Sequence, residues 1–215
     1  DALEAARAAC ARADAADVPV RPFTADVRLV ELLTARGRLD EAESAARSLV
    51  ASLEARNART SVVLSARALL VDIALARGEG QQATRLAREL RHAELDRPGS
   101  LPPTRCAAAW RLARCLIRRA DEASLSEARA LLRKELRRGA EALGDTHASL
   151  AHGQLLLAKL NAKTGRHDDA RQAAETALSI YTRSPGLRVA EQTAARNIAA
   201  RAPQTGARNR LHAGT

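Results

Sequence analysis

The sequence has very few aromatic residues. Among its 215 residues there is one Trp, one Tyr and one Phe, and there is no Met. The hydrophobic fraction of 46% therefore comes mainly from Ala, Leu and Val. Ala and Leu are strong helix formers, small side chains allow helix axes to approach closely, and no alternating strand pattern is present. The composition predicts an all-helical protein.

Cysteine is scarce as well. Cys10, Cys106 and Cys115 are an odd number with no C-x-x-C spacing, so we interpret them as small buried apolar residues rather than metal ligands or disulfide partners. Cys106 and Cys115 are nine residues apart on one predicted helix, which separates them by about 13 Å at a rise of about 1.5 Å per residue. A disulfide between them is excluded on that helix, because bridged α-carbons lie within about 7 Å.

Segments that would carry chemistry or cross a membrane are also missing. There is no apolar run of membrane-spanning length, no secretory signal, no phosphate loop and no nucleophile elbow. His147 and His152 are five residues apart and lack a completing carboxylate, while the acidic residues after His167 suit a helix start. We expect a cytoplasmic protein that is not an enzyme, with no catalytic residue, metal, cofactor or membrane partner.

Lysine is rare, although the formal net charge is +10. The three lysines are Lys134, Lys159 and Lys163, so the positive charge is almost entirely arginine. These arginines are spread through every predicted helix, often near an acidic residue, which is typical of solvated helix faces. Without aromatic side chains between them to stack on bases, nucleic-acid binding is not favoured.

What the sequence does contain is a recurring phrase, Gly-x-x-x-x-Ala. It occurs at Gly37–Ala42, Gly78–Ala83 and Gly165–Ala170. The alanines, with Ala128 included, are 41, 45 and 42 residues apart; the unit of Ala128 has Ala120 in place of the glycine and an insertion of about three residues. A glycine that ends one helix, acidic residues that start the next and an alanine at the contact predict repeated helix pairs.

The repeat gives a domain organisation for the whole chain. We expect one helical array over residues 1–202 and a flexible polar tail over 203–215. Residues 1–16 align with a second helix of a preceding unit, which suggests that the chain is part of something longer. All seven prolines are expected between helices, and Thr24 is expected to cap a helix N-terminus. The array would then consist of helix pairs at 23–58, 60–95, 104–143 and 147–183, with a capping helix at 187–201.

The helices carry a family resemblance. The first helices of the pairs read Leu29-Val30-x-x-Leu33, Leu70-Val71-x-x-Ala74, Leu112-Ala113-x-x-Leu116 and Leu157-Ala158-x-x-Asn161. With the alanines of the second helices, this pattern resembles the tetratricopeptide repeat (TPR). The long unit and the lead-in Leu143-Gly144-Asp145-Thr146-His147 are similar to the variety found in kinesin light chains and bacterial signalling proteins. The resemblance implies a right-handed α-solenoid of antiparallel helix pairs.

The resemblance also indicates which helix faces line a concave groove, with acidic residues in the first units and basic residues in the last. It implies a non-catalytic scaffold that binds a protein or peptide, with an acidic segment suited to the basic part, as part of a larger bacterial signalling or regulatory protein. The inner-face asparagines of the chaperone-binding members are absent. The predicted groove residues are Trp110, Arg114, Arg118, Lys159, Lys163, Glu31 and Asp72.

Three alternatives stay open at this point. The array could be a ligand-sensing module that gates an attached kinase, ATPase or DNA-binding domain, or, less favoured, a solenoid that binds nucleic acid. Trp110 could pack into a neighbouring helix instead of facing a partner, because tryptophan side chains are usually largely buried.

Overall fold

The computed structural model describes residues 2–15, 23–183 and 189–201 of the chain, without the side chains of 12–15 and 201. Over these ranges the chain is helical, with no strand. The helices, in chain order, are α1 (Ala2–Ala15), α2 (Phe23–Ala35), α3 (Leu39–Ala55), α4 (Thr60–Arg77), α5 (Gly80–Asp96), α6 (Pro102–Arg119), α7 (Glu122–Leu143), α8 (Ala148–Lys163), α9 (His167–Thr182) and α10 (Val189–Arg201).

Contacts divide the chain into two compact units, residues 1–100 and residues 101–215. In the N-terminal unit each helix packs against the next one along the chain, and α2 also packs against α4. In the C-terminal unit α6 to α10 pack in the same consecutive way, and α8 also contacts both α6 and α10. Within each unit the two helices of a predicted pair, such as α2 with α3 or α8 with α9, pack against each other.

Glycine ends a helix at three of the predicted elbows. Gly37, Gly78 and Gly165 have φ angles of 73°, 83° and 73°, the left-handed region that side chains with a Cβ avoid. The amide after each glycine donates to a carbonyl five residues earlier, for example Glu79 N to Ala74 O at 3.0 Å. This is the hydrogen bond of the Schellman motif, which satisfies carbonyls at the end of a helix.

The predicted contact alanines lie in the core. Ala42 and Ala83 are 0% exposed and Ala170 is 1% exposed, as the sequence predicted. Ala42 belongs to a core of the N-terminal unit that includes Val30, Leu33 and Ile73. In the C-terminal unit Ala158, Ala173 and Ala174 form a corresponding cluster between α8 and α9. Alanine side chains at these contacts let the paired helices approach closely.

The elbow without glycine is formed by a left-handed alanine and an aspartate cap. Ala120 takes the left-handed conformation itself, with φ 63°. Asp121 then caps α7, since its carboxylate accepts from Ser124 N at 2.9 Å and from Ser124 Oγ at 2.8 Å. These bonds lower the pKa of Asp121, the backbone bond contributing most. Because of this cap, α7 begins at Glu122.

Two details of the sequence analysis were wrong. Pro102 and Pro103 do not lie between helices but form the first turn of α6, where a missing N–H costs nothing because the first turn has no intrahelical acceptor for it. Thr24 does not cap α2, because the helix includes Phe23 before it. The predicted tail at 203–215 lies outside the described residues.

Cys106 and Cys115 both lie on α6 as buried free thiols. Burial is the main reason that the pKa of Cys106 rises to about 11.

Replacing Ala83 with Leu tests the helix contact. Three extra carbon atoms at a position with 0% exposure should force α4 and α5 apart and lower the stability by about 1–3 kcal/mol. Thermal unfolding followed by circular dichroism measures the loss. Ala76→Leu, at an exposed position of α4, is the matched control and should leave the midpoint nearly unchanged. Equal midpoints for both variants would contradict the assigned contact.

Replacing Ala120 with Gly tests the glycine-free elbow. An L-residue in the left-handed region costs about 1–2 kcal/mol, and glycine removes that cost at the expense of about 0.5–1 kcal/mol of additional chain entropy. The variant should therefore be more stable by up to about 1.5 kcal/mol in urea unfolding. Ala76→Gly, inside α4, should be less stable by about 1 kcal/mol. A destabilised Ala120→Gly protein would show that the elbow is not strained.

Candidate ligand-binding groove

A groove in the C-terminal unit is lined by α6, α8 and α10. Its volume is about 450 Å³. Arg114, Ile117 and Arg118 line it from α6, at the i, i+3, i+4 spacing that places side chains on one helix face. The residues of the other two walls are spaced in the same helical way: His152, Leu156 and Lys159 on α8, and Ala190, Glu191 and Ala194 on α10. We call this cavity the α6–α8–α10 groove.

The floor of the groove is apolar and its rim is cationic. Leu156 is 2% exposed and Ile117 is half-buried, whereas Arg118 and Lys159 are exposed. Within the described part of the chain neither Arg118 nor Lys159 forms an ion pair with a carboxylate. Arg114, His152 and Glu191 take part in interactions of their own. The rim therefore carries two positive charges that the described residues do not neutralise.

Positive charge is concentrated in this unit. Residues 1–100 contain 15 Arg and Lys against 15 Asp and Glu, while residues 101–215 contain 20 against 10. The whole net charge of +10 thus lies in the C-terminal half of the sequence. The groove itself carries Arg114, Arg118 and Lys159 against one carboxylate, Glu191, and a cleft with an excess of one sign of charge raises the local concentration of oppositely charged ligands.

Comparison with known structures shows what the helix arrangement resembles. The crystal structure of BtubC (BKLC) from P. vanneervenii superposes with a TM-score of 0.73 at 16% identity, covering 92% of this chain and 80% of that one. The TPR-like repeats of a kinesin light chain-like protein of Podospora anserina superpose with a TM-score of 0.59 at 22% identity, covering 86% and 87% of the two chains. A second crystal structure of those repeats gives 0.61 at 22% identity, covering 84% of each chain.

The chain has a TPR-like fold. This confirms the fold class that the repeat phrase and the helix pattern predicted. No family model matches the chain, and no curated protein matches it in sequence. At these identities the likeness establishes the fold alone.

Trp110 does not line the groove of this TPR-like unit. Its side chain is 4% exposed, and its indole Nε1 donates to Ser149 O on α8 at 2.9 Å. The ring lies against Gly153, where an added Cβ would be 2.6 Å from Trp110 Cζ2. The prediction that Trp110 anchors a partner was wrong, and the alternative of packing into a neighbouring helix is correct. One turn before Arg114, Trp110 fixes the distance between α6 and α8, which are two of the three groove walls.

The structure brings together only part of the predicted site. Arg114, Arg118 and Lys159 converge on the groove, while Lys163 is exposed one turn beyond Lys159 on α8. Glu31 and Asp72 belong to the N-terminal unit, on α2 and α4. Glu31 accepts a hydrogen bond from Arg28 of its own helix at 3.2 Å, and Asp72 is half-buried with interactions of its own.

The contribution of α10 to the groove was missed by the sequence analysis. The repeat pattern predicts only a capping helix here, although α10 continues the series of first helices after α6 and α8. Placing its residues in the same series would have brought Glu191 and its alanine neighbours to the groove. Leu156 was also missed, because an apolar residue in a helix core carries no signal of its own.

A second cavity, in the N-terminal unit, has neutralised charges. It measures about 210 Å³, and the charged residues that line it are Glu43, Arg47, Arg77, Glu79 and Arg85. Arg77 donates to both Glu43 and Asp40, and Arg47 donates to Glu43 at 2.6 Å. The bond from Arg47, and then the one from Arg77, lowers the pKa of Glu43. Since these groups neutralise one another and join α3 to α4, we interpret this cluster as structural.

Other kinds of site are not indicated by the described residues. Over these ranges no group of three or more His, Cys, Asp or Glu side chains is arranged to hold a metal ion. Within the same part of the chain, none of the helices combines the length and the apolar character needed to cross a membrane.

Replacing Gly153 with Ala tests the spacing of the groove walls. The new methyl group would overlap the indole of Trp110, so the ring must shift, and the protein should lose about 1–3 kcal/mol of stability. Because Trp110 is the only tryptophan, its emission should move to longer wavelength as the ring becomes more exposed. Gln154→Ala, at the neighbouring half-buried position of α8, is the control. An unchanged emission maximum in Gly153→Ala would contradict the packing of Trp110 on Gly153.

Proposed function

We propose that this protein is a non-catalytic interaction scaffold that binds an acidic peptide segment of a protein partner in the α6–α8–α10 groove. TPR-like folds generally serve as binding surfaces rather than as catalysts, and a fold by itself does not name a partner. The choice of site and partner therefore depends on the side chains that line the groove. We further infer a cytoplasmic location and, from the sequence resemblance, a role within a larger bacterial signalling or regulatory protein.

The observation that carries the proposal is the pair Arg118 and Lys159. Both line one cavity from different helices, both are exposed, and neither has a carboxylate partner in the described part of the chain. Other arginines, such as Arg47 and Arg77 in the N-terminal unit and Arg166 in the C-terminal unit, form ion pairs. Uncompensated cations beside an apolar floor favour a ligand that brings negative charge and apolar side chains together.

A protein ligand fits this groove better than a nucleic acid. Binding of single strands depends on aromatic side chains on which bases stack. Trp110 and Tyr181 are 4% and 3% exposed, and Phe23 is half-buried. The accessible apolar surface of Ile117, Ala190 and Ala194 instead suits aliphatic side chains next to an acidic residue. We still predict that the acidic residues Glu31 and Asp72 contact another part of the partner.

Reversing both rim charges tests the proposal. Dodecapeptides that carry two to four acidic residues beside Leu or Ile are immobilised as an array, and the wild-type protein should bind a subset of them. For those peptides, Arg118→Glu with Lys159→Glu should weaken binding by about a hundredfold or more, because like charges across an interface are strongly unfavourable. Calorimetric titration measures the change, and thermal unfolding should be unaltered because both side chains are exposed.

The matched control reverses two other exposed cations of the same unit. Arg133 and Arg137 lie on α7 and are not among the residues that line the groove. Arg133→Glu with Arg137→Glu changes the net charge equally and should leave binding within about threefold. Equal losses from both double variants would show a general charge effect and not a groove. Full binding by the Arg118→Glu, Lys159→Glu protein would place the site elsewhere.

A further inference from the structure

The groove offers more charge than a single carboxylate can neutralise. Arg118 on α6 and Lys159 on α8 face one cavity and lack ion-pair partners in the described part of the chain. The other charged residues of the groove, Arg114 and Glu191, already have interactions. A ligand that carries two negative charges on one group would compensate both rim cations at once.

The two rim cations also differ in geometry. Arginine presents a planar fork of donors that matches two oxygens of a tetrahedral anion, while lysine acts as a compact point charge. A phosphorylated serine or threonine carries about −1.5 to −2 charges at pH 7 and three acceptor oxygens, enough for both cations together. An ionised Asp or Glu has one charge and would leave one cation uncompensated.

The apolar part of the groove indicates where the phosphate comes from. Leu156 of the floor is buried, and the accessible apolar surface comes from the half-buried Ile117 and from Ala190 and Ala194 of α10. A free inorganic anion would leave this surface exposed to water, whereas a peptide would cover it with the side chains next to its phosphorylated residue.

We propose that the α6–α8–α10 groove recognises a phosphorylated side chain within an otherwise apolar peptide segment, with Arg118 and Lys159 binding the phosphate. This inference depends on the proposed function, since it specifies the acidic residue that the groove accepts. Phosphorylation of the partner would then control its binding.

Three blocked peptides test the inference: acetyl-Ala-Leu-X-Leu-Ala-amide with X as phosphoserine, glutamate or serine. The blocked ends remove terminal charges, so only X differs. In calorimetric titrations the phosphoserine peptide should bind at least about tenfold more tightly than the glutamate peptide, because its second charge meets a second cation. The serine peptide should bind at least about tenfold more weakly than the glutamate peptide.

Single neutral substitutions locate the phosphate. Lys159→Met and Arg118→Met should each reduce the advantage of phosphoserine over glutamate to about threefold or less. Lys134→Met and Arg133→Met, at exposed positions of α7, are the matched controls and should keep that advantage. Circular dichroism spectra and melting midpoints equal to those of the wild type exclude misfolding as the cause.

Each contrary result has its own meaning. Equal affinities for the phosphoserine and glutamate peptides would overturn the phosphate inference and leave the acidic-peptide function standing. Inorganic phosphate that binds as tightly as the phosphoserine peptide would also overturn it, because the peptide segment would contribute nothing. If neither acidic peptide nor the peptide array binds, the proposed function fails together with the inference.

Discussion

The fold depends on the close approach of paired helices at fully buried alanines. With three aromatic residues in 215, the chain has few large side chains to fill space between distant helices. Interiors of proteins are packed without voids, so helices with small side chains must lie close together. Ala42, Ala83 and Ala170 occupy these contacts with at most 1% exposure. The left-handed residue before each contact turns the chain so that this approach is possible.

At the single tryptophan a large side chain packs against a glycine instead of alanine packing against its neighbours. At the contact of α6 with α8 a large ring replaces small side chains, and the facing residue is Gly153, which leaves room for it. The hydrogen bond from Trp110 to Ser149 O fixes the orientation of the ring. Because the groove begins one turn further along α6, this packing sets the separation of two of its walls. Trp110 thus supports the groove without lining it.

The two units differ in their balance of acidic and basic residues. In the N-terminal unit acidic and basic residues are equal in number, and Arg77 is held by Asp40 and Glu43. Most exposed ion pairs contribute little to stability, but such a network keeps the cations away from outside anions. In the C-terminal unit the basic residues outnumber the acidic ones by two to one, and Arg118 and Lys159 stay without carboxylate partners in the described residues. This difference gives the groove its chemical character.

The sequence by itself determined the helix pairs, because the signals are local. Gly37, Gly78 and Gly165 need a left-handed φ, and the alanine five residues later must face the preceding helix. Arg118 and Lys159 were also predictable, since the fold resemblance indicates the exposed face of each first helix. The helix starts at Pro102 and Glu122 were less predictable. A proline can either precede or begin a helix, and a capping residue is identified by its hydrogen bonds, which the sequence does not show.

Only the tertiary structure decided which side chains meet. Trp110 could have faced a partner or a neighbouring helix, and the absence of a Cβ at Gly153, 43 residues away in the chain, decided between them. The third wall of the groove and the pairing of charges are likewise contacts between residues far apart in sequence. Such contacts depend on how helices pack, and local periodicity carries no information about the partner of an individual side chain.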